Sequence, residues 1–82
     1  RSGVAAGSDE ADDLAERHRE MIGQLFACTH SMQVCLGQLY VQDTRFSAYF
    51  DALEPGLSVW LSDVIDANAQ RHGIDPAKAR WE

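Results

Sequence analysis

The run Cys28-Thr29-His30-Ser31-Met32-Gln33-Val34-Cys35-Leu36-Gly37-Gln38-Leu39-Tyr40 decides how the chain folds. Met32, Cys35, Leu36, Leu39 and Tyr40 recur at the spacing that lines side chains along one stripe of an α-helix. Thr29 or Ser31 stands where an N-cap is wanted, so the pattern predicts a helix between Thr29 and Gln42. Gly37 falls inside that helix at a cost of about 1 kcal/mol relative to Ala, and an interior Gly usually admits a second backbone or a ligand. Asp43 then reads as the N-cap of a further short helix carrying Phe46, Tyr49, Phe50 and Leu53.

Toward the N-terminus, Ser8 with Asp9, Glu10, Asp12 and Asp13 reads as a capped, dipole-matched helix start. Leu14, Met21, Ile22 and Leu25 give this helix its expected apolar face, with Glu16, Arg17, Arg19 and Glu20 turned to water and Asp13 pairing with Arg17. Phe26-Ala27-Cys28-Thr29 ends or kinks it. Residues 1–7 lack the continuous apolar core of a signal peptide and read as a linker or a remnant of cloning, with one domain spanning 8–82. Toward the C-terminus, Glu54-Pro55-Gly56 breaks the chain, and Pro55 suits the first turn of a new helix. Leu57, Trp60, Leu61, Val64 and Ile65 form its apolar stripe, with Ser58, Ser62, Asp63 and Asp66 expected on the opposite side. Arg71, His72 and Gly73 are matched stop signals, and Asp75-Pro76 opens one last turn. No strand pattern and no internal repeat is present. The expected class is all-α, a small domain of about four main helices.

Eighty-two residues make one small domain whose stability should be modest. A net charge of −6 with only 7 Lys and Arg, scattered along the chain, argues against direct nucleic-acid contact. No apolar run approaches the roughly 20 residues that cross a bilayer. If Cys28 and Cys35 share a helix, their Cα atoms stand about 10 Å apart, too far for a disulfide. They are expected to be free thiols in a reducing cytoplasm.

Several chemistries compete for the polar residues. Cys28, His30, Cys35 and His18 match none of the paired spacings that close a tetrahedral zinc site, so no metal is expected. A haem ligand in His30 or His18 is equally unsupported. Cys28 near a helix start with His30 beside it is the one arrangement compatible with a thiol-dependent enzyme. Cys35, flanked by apolar residues, reads as a small core side chain with an inert thiol. Tyr40, Phe46, Tyr49, Phe50 and Trp60 fall at core spacings, yet a domain this small cannot fully bury so many rings. Both readings stay open, a simple core or a groove for a ligand.

His30-x-Met32, Leu36-Gly37, Tyr40, Asp43, Arg45-Phe46, Pro55-Gly56-Leu57 and Ala67-Asn68 occur in an order and spacing similar to the antibiotic-recognition domain of TipA-class regulators. That family is a branch of the MerR-type bacterial transcriptional activators. The resemblance covers about half of the chain, from Cys28 to Asn68. It implies a globin-like helical fold without haem or any other cofactor, binding peptide-like or multidrug antibiotics in a hydrophobic cleft. It also implies an isolated, partial effector domain, whose DNA contact runs through an absent N-terminal winged-helix domain and whose full-length form is a homodimer. The cysteine that adds to a dehydroalanine of thiopeptides in some members aligns with Cys35. The expected ligand wall is Met32, Cys35, Leu39, Tyr40, Phe46 and Tyr49, in a non-enzymatic sensor. Alternatives are a helical dimerisation or interaction domain without a small ligand and, more remotely, the thiol enzyme.

Overall fold

The computed structural model describes residues 4–82. Four helices follow in order, α1 (Asp9–Ile22), α2 (His30–Gln42), α3 (Thr44–Leu53) and α4 (Leu57–Arg71), and a single 3₁₀ turn (Pro76–Lys78) completes the fold. There is no strand among the described residues, as the apolar periodicity requires. None of these helices is long and apolar enough to cross a membrane.

Local chemistry sets the boundaries. Ser8 accepts from the Ala11 N–H, Thr29 from Met32, Asp43 from Arg45 and Asp75 from Ala77, so four helix starts carry the side-chain cap that orphan N–H groups need. Gly73, with φ +84°, ends α4: its N–H reaches the Gln70 carbonyl at 3.1 Å and the Ile74 N–H reaches Ala69 at 2.9 Å, a Schellman closure that a side chain at Gly73 would strain. The start of α4 is different. Gly56 (φ +81°) occupies its N-cap position and offers no side chain. Pro55 lies in the turn ahead of the helix and not in its first turn. The missing acceptor comes from α3: Asp51 Oδ1 takes the Ser58 N–H at 3.0 Å and the Ser58 hydroxyl at 2.9 Å.

α4 packs against every other helix and against the final turn, and the core forms along it. One cluster joins Val34 and Tyr40 of α2 to Ile65 and Ala69 of α4, with Leu36, Phe50, Leu61, Ile74 and Ala79 around it. A second joins Ala11 and Ala15 of α1 to Val64, with Val4 and Trp60 alongside. Where α2 meets α4, Gly37 is buried, and a Cβ there would stand 3.3 Å from Ile65 Cδ1 and 3.5 Å from Ser62 Cα. The interior glycine thus serves a close helix crossing.

Two further sequence expectations are corrected. α1 stops at Ile22, and its buried residues are Ala11 and Ala15, while Leu14, Met21 and Leu25 are exposed, Leu25 at 79%. Small side chains let α1 approach α4, and the larger ones are left outside. Ser58 and Ser62, expected in water, are buried for the same reason. Ser58 is satisfied by Asp51, and Ser62 lies where Gly37 brings α2 close.

Both ends of the chain are tied to the helices. Trp60 Nε1 donates to the Val4 carbonyl at 2.9 Å, and Arg71 donates to the Gly7 carbonyl at 2.6 Å and pairs with Asp12 at 3.0 Å. At the other end, Ser31 Oγ donates to the Arg80 carbonyl at 2.6 Å and accepts the Arg80 N–H at 2.7 Å. Thr29 donates to the Glu82 carbonyl at 2.9 Å, and Gln38 to the Pro76 carbonyl at 3.3 Å. Trp81 leans on Phe26 with ring centres 5.5 Å apart.

Candidate ligand cleft

A cleft of about 420 Å³ opens between α2 and α3, lined by Tyr40, Arg45, Phe46, Tyr49 and Phe50. Its volume lies in the range of small-molecule pockets, and aromatic faces make most of its wall. The Tyr40 ring stands 4.9 Å from Phe50 and 5.6 Å from Phe46, and Tyr49 meets Phe50 edge-on at 5.3 Å. Tyr40 is 7% exposed and forms the floor, whereas Tyr49, at 62%, stands at the rim. α3 buries none of its residues fully, so one wall of the cleft rests on a helix with little core of its own. Arg45 adds the cleft's positive charge. Its guanidinium is held by both oxygens of Asp43, at 3.1 and 2.8 Å, and the Asp43 carboxyl is lowered to about 2 by those bonds and the Arg45 N–H.

The floor is anchored from behind. His18 on α1 stands 3.0 Å from the Tyr40 hydroxyl through Nε2 and 2.9 Å from Gln33 Nε2 through Nδ1. Gln33 Nε2 also donates to the Ala15 carbonyl at 2.8 Å. A carbonyl can only accept, so the Gln33 amide is oriented with its nitrogen toward His18. Nδ1 of His18 must therefore accept, and Nε2–H donates to Tyr40. Burial lowers the His18 pKa, in keeping with this neutral tautomer. Burial also raises the Tyr40 phenol, and the nearby Cys28 adds to that.

Of the residues expected at a ligand wall, Tyr40, Phe46 and Tyr49 are brought together, and Arg45 and Phe50 join them. Met32, Cys35 and Leu39 are not among the lining residues. Met32 and Cys35 are half-buried and Leu39 is exposed, farther round α2. Cys35 lies four residues after Ser31 and three before Gln38, on the face of α2 held by the C-terminal segment. Arg45 stands directly before Phe46, and its adjacency was the signal available for it. Phe50 sits four residues after Phe46 on the same α3 stripe but reads equally well as core, and it does both jobs.

The thiol arrangement is unlike that of a nucleophile. Cys28 is buried, its thiol donates to the Thr29 carbonyl at 3.7 Å, and burial raises its pKa against the lowering effect of Arg19. His30 is bonded to Glu16, at 3.0 Å. His18, Cys28, His30 and Cys35 do not form a metal-binding group. The converging set among the described residues is Glu16, His30 and His72, which the sequence pattern did not indicate because one residue comes from each of three helices.

The described chain is thus an all-α domain with an aromatic cleft between two helices, its floor tied into the core. The chain belongs to the TipAS antibiotic-recognition domain family, whose family model matches residues 1–68. Two curated relatives, the HTH-type transcriptional activators TipA of Streptomyces coelicolor and of Streptomyces lividans, are each 44% identical to it over 72 residues, covering 87% of this chain. The chain spans 28% of the length of either relative. No solved structure gives a significant match.

Proposed function

We propose that this chain is the effector-binding domain of a bacterial transcriptional activator, taking a bulky hydrophobic or thiopeptide-like antibiotic at the α2–α3 cleft. The observation that carries the reading is the cleft itself: four aromatic rings around about 420 Å³, with Arg45 at hand for a polar group. The activator role rests on the relatives, which are named as HTH-type transcriptional activators. The domain binds and does not catalyse. Occupancy shifts a regulator between states by as much as the ligand's affinities for those states differ. DNA contact runs through a winged-helix domain of the MerR type in a cytoplasmic, full-length homodimer. Met32, Cys35 and Leu39, outside the cleft lining, extend the wall for a ligand larger than the cleft, and once the C-terminal segment yields the Cys35 thiol adds across the C=C of a dehydroalanine, sulfur to the β-carbon and a proton to the α-carbon.

The test is a thermal-shift and NMR titration with thiopeptides and other large apolar antibiotics. The expected result is stabilisation by a binder, with shifts at Tyr40, Phe46 and Tyr49, and affinity weakened at least about tenfold in Phe46→Ala and Tyr49→Ala, as the loss of an aromatic anchor usually does. Binding left intact in both variants would place the ligand elsewhere. Intact mass after exposure to a dehydroalanine-containing ligand, wild type against Cys35→Ser, tests capture separately.

A second reading has one observation in its favour. Leu14, Met21 and Leu25 are exposed at the α1 end of the domain, as a helical interaction domain requires. Light scattering that shows a tight dimer, dissociated by Leu14→Asp and Met21→Asp, would support it.

A further inference from the structure

Away from the cleft, three helices each place one metal-ligating side chain at a common point. Glu16 lies on α1, His30 opens α2 and His72 is the C-cap of α4. One ligand atom from each lies within 4.8 Å of the others. The imidazoles of His30 and His72 stack at 4.0 Å with 14° between their planes.

We propose that Glu16, His30 and His72 form a binding site for a late first-row divalent metal ion, Zn²⁺ foremost, that clasps α1, α2 and α4 together. Two imidazoles and one carboxylate are the donor set that such ions take, in preference to the all-oxygen sets of Mg²⁺ and Ca²⁺. The supporting contacts are of the kind that metal ligands have. His72 Nδ1 lies 2.8 Å from the Asn68 carbonyl, which can only accept, so Nδ1 carries the proton and Nε2 presents a lone pair. The buried side chain of Asn68 also holds Glu16 Oε2 through Nδ2 at 2.7 Å, and so orients the carboxylate from behind. One residue thus positions two of the three ligands.

The carboxylate is already arranged by its neighbours: Arg19 and Asn68 both donate to Glu16. Without metal, His30 Nε2 bonds to Glu16 Oε2 at 3.0 Å. That bond puts the ring proton on Nε2, because the ionised Glu16 can only accept, so an ion that binds there displaces the Nε2 proton to solvent and leaves His30 as the tautomer protonated at Nδ1, which takes its proton from solvent. Metal–ligand bonds of roughly 2.1 Å bring tetrahedral donors to about 3.4 Å of one another. The set must therefore close, and because each lone pair lies in its ring's plane, one of the two nearly parallel rings must turn out of the stack to face the ion. The exposed His72 ring can supply that movement.

Arg19 opposes the ion. Its guanidinium bonds both Glu16 oxygens, at 2.9 and 3.3 Å, and also the Cys28 carbonyl at 2.9 Å. A metal ion at Glu16 must share or displace it, which makes Arg19 the residue that limits affinity.

The experiment titrates the metal-stripped chain with Zn²⁺ by calorimetry and with Co²⁺ by visible absorbance. The expected result is one ion per chain with Co²⁺ ligand-field bands. His72→Ala and His30→Ala should each weaken binding at least about tenfold, with helix content by circular dichroism unchanged, as expected for the loss of a ligand. Arg19→Gln should tighten it, an outcome that a purely structural Glu16–His30–His72 cluster does not produce. No binding at millimolar metal, or binding that survives both histidine substitutions and disappears in the Cys28→Ser, Cys35→Ser double variant, would overturn the proposal.

Discussion

His18 donates through Nε2–H to the hydroxyl of Tyr40, 3.0 Å away, and this bond joins α1 to the floor of the cleft. It requires a neutral imidazole with an unprotonated Nδ1, because Gln33 donates to that nitrogen. His18 and His30 are both lowered by burial from the ordinary histidine value of 6.5. In that window the unfolded chain binds more protons than the folded one, so stability rises with pH. The contribution is complete above about pH 6.5 and is lost as pH falls through the lowered folded values. Thermal unfolding between acidic and neutral pH should show this slope, and His18→Gln, which cannot titrate, should flatten it. An unchanged slope in that variant would remove His18 from the effect. Glu16, at about 2, adds its own loss only under more acidic conditions.

Asp51 caps α4 from another helix, so its loss should act on two elements. Asp51→Ala should destabilise the domain by about 1–2 kcal/mol in urea unfolding, in the range of lost helix caps. Ser58→Ala removes one of the two bonds, keeps the N–H contact and should cost less. A double-mutant cycle should find the pair coupled, and additive effects would contradict the shared bond.

Gly37 should tolerate one added carbon but not three. Alanine gains about 1 kcal/mol of helix propensity and loses a similar amount to contact with the buried Ile65, leaving stability within about 1 kcal/mol of wild type. Gly37→Val forces α2 from α4 and should cost about 2 kcal/mol or more. Equal stability of the two variants would mean that the crossing is looser than its 3.3 Å clearance.

The two thiols should differ in reactivity. Cys28 is buried and its thiol is harder to ionise, whereas Cys35 is half-buried. Iodoacetamide should modify Cys35 first in the native protein, and peptide mapping gives the order. Ser31→Ala, which releases Arg80 from α2, should speed the reaction at Cys35 and leave Cys28 unaffected. Faster modification of Cys28 would refute the assignment.

Much of this architecture was legible because it is local. Caps at Ser8, Thr29, Asp43 and Asp75 and the stop at Gly73 depend on residues within one turn, and each works as its residue type requires. The buried face of α1 was not legible. Its apolar pattern follows Leu14, Met21 and Leu25, whereas close approach to Val64 selects Ala11 and Ala15. The core of α4 misleads similarly, since Ser58 and Asn68 are buried through partners on α3 and α1 that no spacing within α4 predicts. At the cleft, three of the five lining residues, Tyr40, Phe46 and Tyr49, were among those expected at a ligand wall, and Arg45 adjoins Phe46 in sequence. The anchoring histidine depends on helix packing. The Glu16–His30–His72 convergence spans most of the chain and has no sequence signature at all.

The borrowed cap at Ser58 has a mechanical consequence. α3 forms one wall of the cleft, and a carboxylate oxygen of that same helix completes the first turn of α4. Under the proposed function, a guest that pushed α3 outward would withdraw Asp51 and leave the Ser58 N–H at the α4 start without its acceptor. Occupancy would then loosen the head of the helix on which the other three lean, a route from the cleft to the rest of the domain.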